Sequence, residues 1–183
     1  MRSDARENRS RILEAAREMF AEGNQPSMNS VAQRAGVGPG TLYRNYPSRE
    51  ALALAVYELE IDRLVDSVPG LLAELPPREA LRRWTTDLVQ AMRKKHGLGD
   101  ALSASAHRAT TERSYGPVVN AITQLIAAGQ RDGTFRGDVS ARDFLQLTGA
   151  LWRAAPGKGD RSQAMLGLIL DGLTTHPPSR RPR

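Results

Sequence analysis

Apolar residues recur at steps of three and four along nearly the whole chain, and no stretch alternates long enough to make a convincing strand. A pattern of that period gathers on one face only when the chain is wound as a helix, so the fold is predicted to be all-α, with about nine helices. Ile12, Ala15, Ala16, Met19 and Phe20 form the first stripe, with Asp4 and Glu7 as a capping box at its start and Gly23 as its stop. A second, short helix follows Ser27 as N-cap, turns Val31, Ala32 and Ala35 inward, and ends at Gly36.

The stretch "GVGPG" then makes a turn in which Gly36 can take the left-handed conformation, and Pro39 suits the first turn of the next helix. That third helix is very short. It holds Thr41, Leu42, Tyr43, Arg44, Asn45 and Tyr46 before Pro47 interrupts, and Ser48 with Glu50 restarts a helix. In the fourth helix Leu52, Ala55, Val56 and Leu59 make one apolar stripe, while Ile61, Leu64, Val65 and Val68 make another at a different angle. Two stripes suit one rod serving two cores; a single helix buried all round is the alternative. The prolines from Pro69 to Pro77 read as a break, and further helices are predicted over about 78–96, 100–108, 114–131, 141–154 and 161–173. Gly133 and the pair Ser140 and Asp143 mark the boundary between two of these.

At 183 residues and 40% hydrophobic content the chain can pack a core without staples, and with no cysteine it has neither disulfides nor thiolate metal sites. A charged start and the lack of any apolar run near the roughly 20 residues of a membrane span predict a cytoplasmic protein with no membrane partner. The net charge is +6, which suits a polyanionic partner. Residues 177–183 hold three arginines among prolines and read as a disordered basic tail, with a phosphate-grasping arm as the other possibility. More telling is Ser27 to Arg49, which carries Arg34, Arg44 and Arg49 and no acid.

Helix, helix, glycine-bearing turn and short helix is the pattern of a helix-turn-helix, whose last helix lies in the DNA major groove. Such a helix must expose donors to phosphates and base edges, which accounts for the crowding of Tyr43, Arg44, Asn45 and Tyr46 where Lys and Glu would be ordinary. Leu42 and part of Tyr46 would hold it down. The three histidines, at 96, 107 and 176, form no acid-base or metal constellation, and no nucleophile elbow or phosphate loop is present, so neither an enzyme nor a cofactor is read here.

Over Arg11 to Val56 the segments "RILEAAREMFAEG" and "VAQRAGVGPGTLYRNYPSREALALAV", with their spacing, resemble the N-terminal domain of the TetR family of bacterial transcriptional regulators. Further on the resemblance rests on helix number and on the closing "LGLILDGL". It implies a DNA-binding domain over 5–50 and a helical ligand-binding and dimerisation domain over 51–176. For double-stranded operator DNA it implies Met28 and Asn29 beside the backbone, and Pro39, Gly40, Thr41, Tyr43, Arg44, Asn45 and Arg49 at the surface. Tyr43, Thr41 and Arg49 would hold phosphates, and Arg44 and Asn45 would read bases. Tyr46 occupies the family's usual aromatic anchor position and has two readings, packing or contact. Gly38 and Pro39 stand where members often have a polar or charged pair, so the operator sequence does not carry over.

The resemblance also implies a homodimer and a pocket for an unknown small-molecule effector. For the dimer interface the last helices offer Phe144, Leu147, Leu151, Trp152, Met165, Leu166, Ile169, Leu170 and Leu173, apolar over more than one face. For the pocket Trp84, Leu88, Met92 and His96 share a face, followed by Leu102, His107 and Tyr115, though Trp84 and Met92 serve equally well as core. Repression relieved by effector is the implied function. A helical small-molecule-binding protein with weak or no specific DNA binding is the alternative.

Overall fold

The structure is a computed structural model that describes residues 2–22, 26–97, 104–153 and 161–175. Among the described residues nine helices form, and the strand-like pairing found there is an isolated bridge between Phe135 and Thr174. Contacts divide the chain into two compact units, Met1–Glu60 with Gly97–Thr110, and Ile61–His96 with Thr111–Arg183.

In the first unit α1 (Arg2–Ala21), α2 (Met28–Arg34), α3 (Pro39–Asn45) and the start of α4 (Arg49–Asp66) surround one apolar core. Ile12, Ala15 and Ala16 meet Met28, Val31, Ala32 and Ala35, and Leu42, Tyr46, Leu52 and Val56 close it. Full burial of an Ile or Leu is worth about 1.5 to 3 kcal/mol, so these side chains bind the short helices to α1. The caps are local and specific. Ser27 is extended and its Oγ accepts the Ser30 N–H at 3.1 Å. At the other end of α2 Gly36 has φ +64°, and Val37 N–H reaches back to Ala32 O at 3.0 Å, a Schellman closure. Pro39 opens α3 behind the extended Gly38, and Ser48 Oγ accepts the Ala51 N–H at 3.1 Å to start α4.

Two sequence expectations shift here. The first helix begins ahead of Asp4, so Asp4 is not its N-cap; the expected stop, Gly23, lies outside the described residues. In α4 Leu52 and Val56 are buried with Ala53 and Tyr57, while Ala55 and Leu59 are half-buried. The unit boundary falls between Glu60 and Ile61, so Ile61 and Leu64 are buried in the second unit.

The second unit continues with α5 (Val68–Glu74), α6 (Pro77–Gly97), α7 (Ala104–Arg131, from Thr111 onward), α8 (Ala141–Arg153) and α9 (Ser162–Leu173). The stretch from Pro69, expected to be a break, is instead the helix α5, because proline in a first turn lacks only an N–H that has no intrahelical partner anyway. Likewise, from Ala104 onward the two helices predicted around 100–108 and 114–131 are one, running through Pro117, while residues 100–103 lie outside the described residues. An interior proline costs about 3 kcal/mol. Val118, Ala121, Ile122, Leu125 and Ile126, all buried just beyond it, offset that loss.

After α7 the chain turns at Gly133, φ +80°, and Asp132 Oδ1 accepts the Thr134 N–H at 2.9 Å. Phe135 then folds back: its N–H donates to Gly129 O at 2.8 Å and its ring lies where a β-carbon on Gly129 would stand, 2.2 Å from it. Arg136 N–H to Leu173 O at 2.9 Å and Thr175 N–H to Thr134 O at 3.1 Å tie the end of α9 to this turn. Ser140 and Asp143 form the reciprocal cap expected of them, with Asp143 N–H on Ser140 Oγ at 3.2 Å and Ser140 N–H on Asp143 Oδ2 at 3.2 Å. Gly129→Ala is expected to destabilise the fold by about 1 to 3 kcal/mol, since the ring cannot withdraw without vacating the core. Urea unfolding followed by circular dichroism measures it; an unchanged midpoint would show that the ring yields freely.

Candidate nucleic-acid interface

Seven residues make a helix too short to persist in isolation, so α3 exists by virtue of what it is fastened to. Leu42 is fully buried, and Tyr46, the residue that ends α3, donates its N–H to Leu42 O at 2.8 Å. With that side inward, Pro39, Gly40, Tyr43 and Arg44 are exposed, and Thr41 and Asn45 half-buried. Tyr43 keeps 48% of its surface open, unusual for an aromatic on so small an element. Asn29 is exposed at the start of α2 and Arg49 half-buried at the start of α4.

The polar groups of this face hold a defined conformation. Arg44 Nε donates to Gly40 O at 3.2 Å and its terminal nitrogen to Thr41 Oγ1 at 3.2 Å. Asn45 Nδ2 donates to Thr41 O at 2.8 Å. Both side chains therefore lie along their own helix, with donors engaged in weak local bonds that a stronger acceptor can displace. Arg34 contributes less field than its place in the sequence suggests, since it lies 3.6 Å from Glu18 and 3.5 Å from Glu22.

Two expected contacts are corrected. The Ser27 cap sets the phase of α2 so that Met28 shares its inward face with Val31, Ala32 and Ala35; the Met28 side chain is core. Tyr46 is core as well, at 2% exposure. Its phenol oxygen is buried with no hydrogen-bond partner among the described residues. Burial pushes its pKa above the usual tyrosine value, the Arg9 charge opposes that, and Glu58 adds to it.

In the second unit Trp84 and Leu88 are fully buried, so neither lines an open pocket. Leu64 lies in the last turn of α4, where carbonyls lack intrahelical partners, and its oxygen accepts Trp84 Nε1 at 2.8 Å and Ser67 Oγ at 2.7 Å. Met92 is half-buried and Tyr115 exposed. Leu102 and the side chains of His96 and His107 lie outside the described residues. Of the expected interface, Phe144, Leu151, Leu166, Leu170 and Leu173 are buried in the chain's own core, because α8 and α9 pack on each other and on the rest of the unit. Leu147, at 56% exposure, Trp152, Met165 and Ile169 keep surface open, and Leu168, at 69%, joins them.

Residues 76–175, more than half the chain, match the C-terminal domain of SbtR-like transcriptional regulators, and residues 12–56 match the tetR family of bacterial regulatory proteins. The chain belongs to the TetR family. A TetR transcriptional regulator from Streptomyces coelicolor is 40% identical, with a TM-score of 0.74 over 91% of this chain and 98% of that one. A TetR regulatory protein from Mycobacterium vanbaalenii is 36% identical, with a TM-score of 0.70 over 95% and 99% of the two chains. The TetR-family repressor FadR of Thermus thermophilus, crystallised with lauroyl-CoA, is 25% identical, with a TM-score of 0.58 over 95% and 100%. An HTH-type transcriptional regulator of Staphylococcus aureus is 42% identical over 64 residues, which span only 34% of this chain and 35% of that protein. Among the described residues no helix is long and apolar enough to cross a membrane. This TetR-family chain is thus a transcriptional regulator with a helix-turn-helix DNA-binding domain.

Tyr46→Phe is expected to leave stability unchanged or raise it by up to about 1 kcal/mol, because it removes a buried hydroxyl without a partner. It should leave DNA affinity unchanged. A melting temperature that falls, or affinity that drops as much as for Tyr43→Phe, would restore Tyr46 as a contact.

Proposed function

We propose that the protein is a homodimeric repressor that holds operator DNA through α3 and is released by a small-molecule effector bound in the C-terminal helical domain. The observation that carries it is the solvent-facing side of α3, where Thr41, Tyr43, Arg44 and Asn45 gather donors on a helix pinned by Leu42. In this reading residues 5–50 bind DNA and residues 51–176 pair the subunits and receive the effector. Thr41, Tyr43 and Arg49 hold phosphates, with Asn29, Pro39 and Gly40 close to the backbone. Arg44 and Asn45 leave their own helix to meet base edges, Arg with guanine O6 and N7 and Asn with adenine N6 and N7 as the geometric matches.

Pairing through α8 and α9 is supported by the exposed Leu147 and Leu168, with Trp152, Met165 and Ile169 half-buried on the same two helices, apolar surface that pairing would take out of water. A two-fold dimer then matches a palindromic operator. The FadR complex with lauroyl-CoA supports effector binding by the same fold, and in this chain Met92 and Tyr115 keep surface for it. Release follows by linkage. An effector that binds better to the dimer form unsuited to operator lowers DNA affinity, by a coupling of about 1 to 3 kcal/mol.

Selection from a randomised duplex pool, then fluorescence anisotropy on the selected duplex and a shuffled one, tests the DNA reading. Arg44→Ala should lose about 1 to 3 kcal/mol on the selected duplex and little on the shuffled one, whereas Tyr43→Phe should lose about 1 kcal/mol on both. Failure of the wild-type protein to enrich any duplex would favour a helical ligand-binding protein instead. Leu168→Glu is expected to weaken pairing by about 3 kcal/mol or more, seen as monomers in sedimentation velocity at concentrations where the wild type is dimeric.

A further inference from the structure

Among the described residues, two of the first unit's arginines are paired with acids and three others that lie at or near α3 are not. Arg17 pairs with Glu14 at 2.5 Å, and Arg34 with Glu18 and Glu22, so these cations are largely neutralised within the protein. Arg9, Arg11 and Arg44 have no acidic partner among the described residues, and all three are exposed. The first two lie on α1, outside the acid-free stretch from Ser27 to Arg49, yet the fold brings them to α3. Arg9 lays its guanidinium over the ring of Tyr46, 5.2 Å from the centroid, at the residue that ends α3. Arg11, whose guanidinium also donates to Asn8 Oδ1, has a terminal nitrogen 3.7 Å from where a β-carbon on Gly36 would stand, in the turn that precedes α3. One cation from α1 therefore flanks each end of the short helix.

We propose that Arg9 and Arg11 are phosphate contacts, a sequence-independent clamp from α1 that extends the footprint of α3 on DNA; this rests on α3 entering the major groove. Both guanidiniums come from α1 and lie beside residues just outside α3, Tyr46 after it and Gly36 before it. With the α3 side chains on the groove floor, the flanking phosphates are the groups left for these guanidiniums to meet. The cation–π contact with Tyr46 holds the Arg9 guanidinium beside the end of α3 without consuming its N–H donors, which stay available for a two-oxygen acceptor such as phosphate. Asn8 meets part of the Arg11 fork without neutralising it. Each phosphate so neutralised releases condensed counterions, which makes salt dependence the direct readout.

The test measures Kd against salt concentration on a duplex selected from a randomised pool by the wild-type protein and on a shuffled duplex. Its variants are Arg9→Ala, Arg11→Ala, Arg9→Lys and, as a control for net charge, Arg142→Ala, which removes an exposed cation of α8. Arg9→Gln keeps a planar group over Tyr46 and guards against a folding loss, with melting temperature followed throughout. Arg9→Ala, Arg9→Gln and Arg11→Ala should each flatten the plot of log Kd against log salt by about 0.9 per protomer. They should weaken both duplexes by the same factor, while Arg9→Lys keeps the wild-type slope. Slopes that match Arg142→Ala overturn the proposal, and a slope lost at one position alone removes the other from the clamp. A wild-type protein that selects no duplex would instead sink the reading of α3 itself.

Discussion

What α3 can offer to DNA depends on the burial of one leucine. Leu42 anchors a helix of seven residues that has too few internal hydrogen bonds to persist alone, and its burial is the apolar purchase that α3 itself has on the core. The turn before it is fixed by Gly36 in the left-handed conformation, and Tyr46 fixes the exit by donating back to Leu42. Because rigidity comes from outside the helix, its outward residues need not contribute to folding. That freedom lets Tyr43 and Arg44 be exposed at little cost to stability.

The same economy governs α4. Its first turns complete the core around Leu42 through Leu52 and Val56, and from Ile61 onward it belongs to the other unit. One continuous run of helical hydrogen bonds thus supplies apolar side chains to two separate cores, Leu52 and Val56 to one and Ile61 and Leu64 to the other.

Much of the fold was legible because its signals are local. Ser27, Gly36, Ser48 and the pair Ser140 and Asp143 cap through bonds spanning three to five residues, so residue type and spacing suffice to find them. The face of α3 was legible for a related reason: polar aromatics on a short helix have little structural purpose. What periodicity could not supply was the identity of the covering partner. Phe144, Leu151 and Leu170 read as interface because their helices are apolar on more than one side; only packing distinguishes them from Leu147 and Leu168. Met28 was misread as a contact for the same reason, and of the two readings open for Tyr46 the packing one holds. Pro69 and Pro117 misled differently, since one opens a helix and the other is tolerated inside a helix whose following residues are deeply buried. Arg9 and Arg11 escaped notice because their proximity to α3 is created by the fold and is invisible in a window of contiguous residues.

Trp84 carries a consequence of its own. Its indole is fully buried and bonded to the carbonyl of Leu64, so its emission should be blue-shifted and sensitive to the final turn of α4, whereas Trp152, the other tryptophan, is half-buried. The molecule thus contains an intrinsic optical gauge seated on the helix that spans both units. With Trp152 replaced, small molecules could be screened against an unlabelled protein by the colour of a single residue.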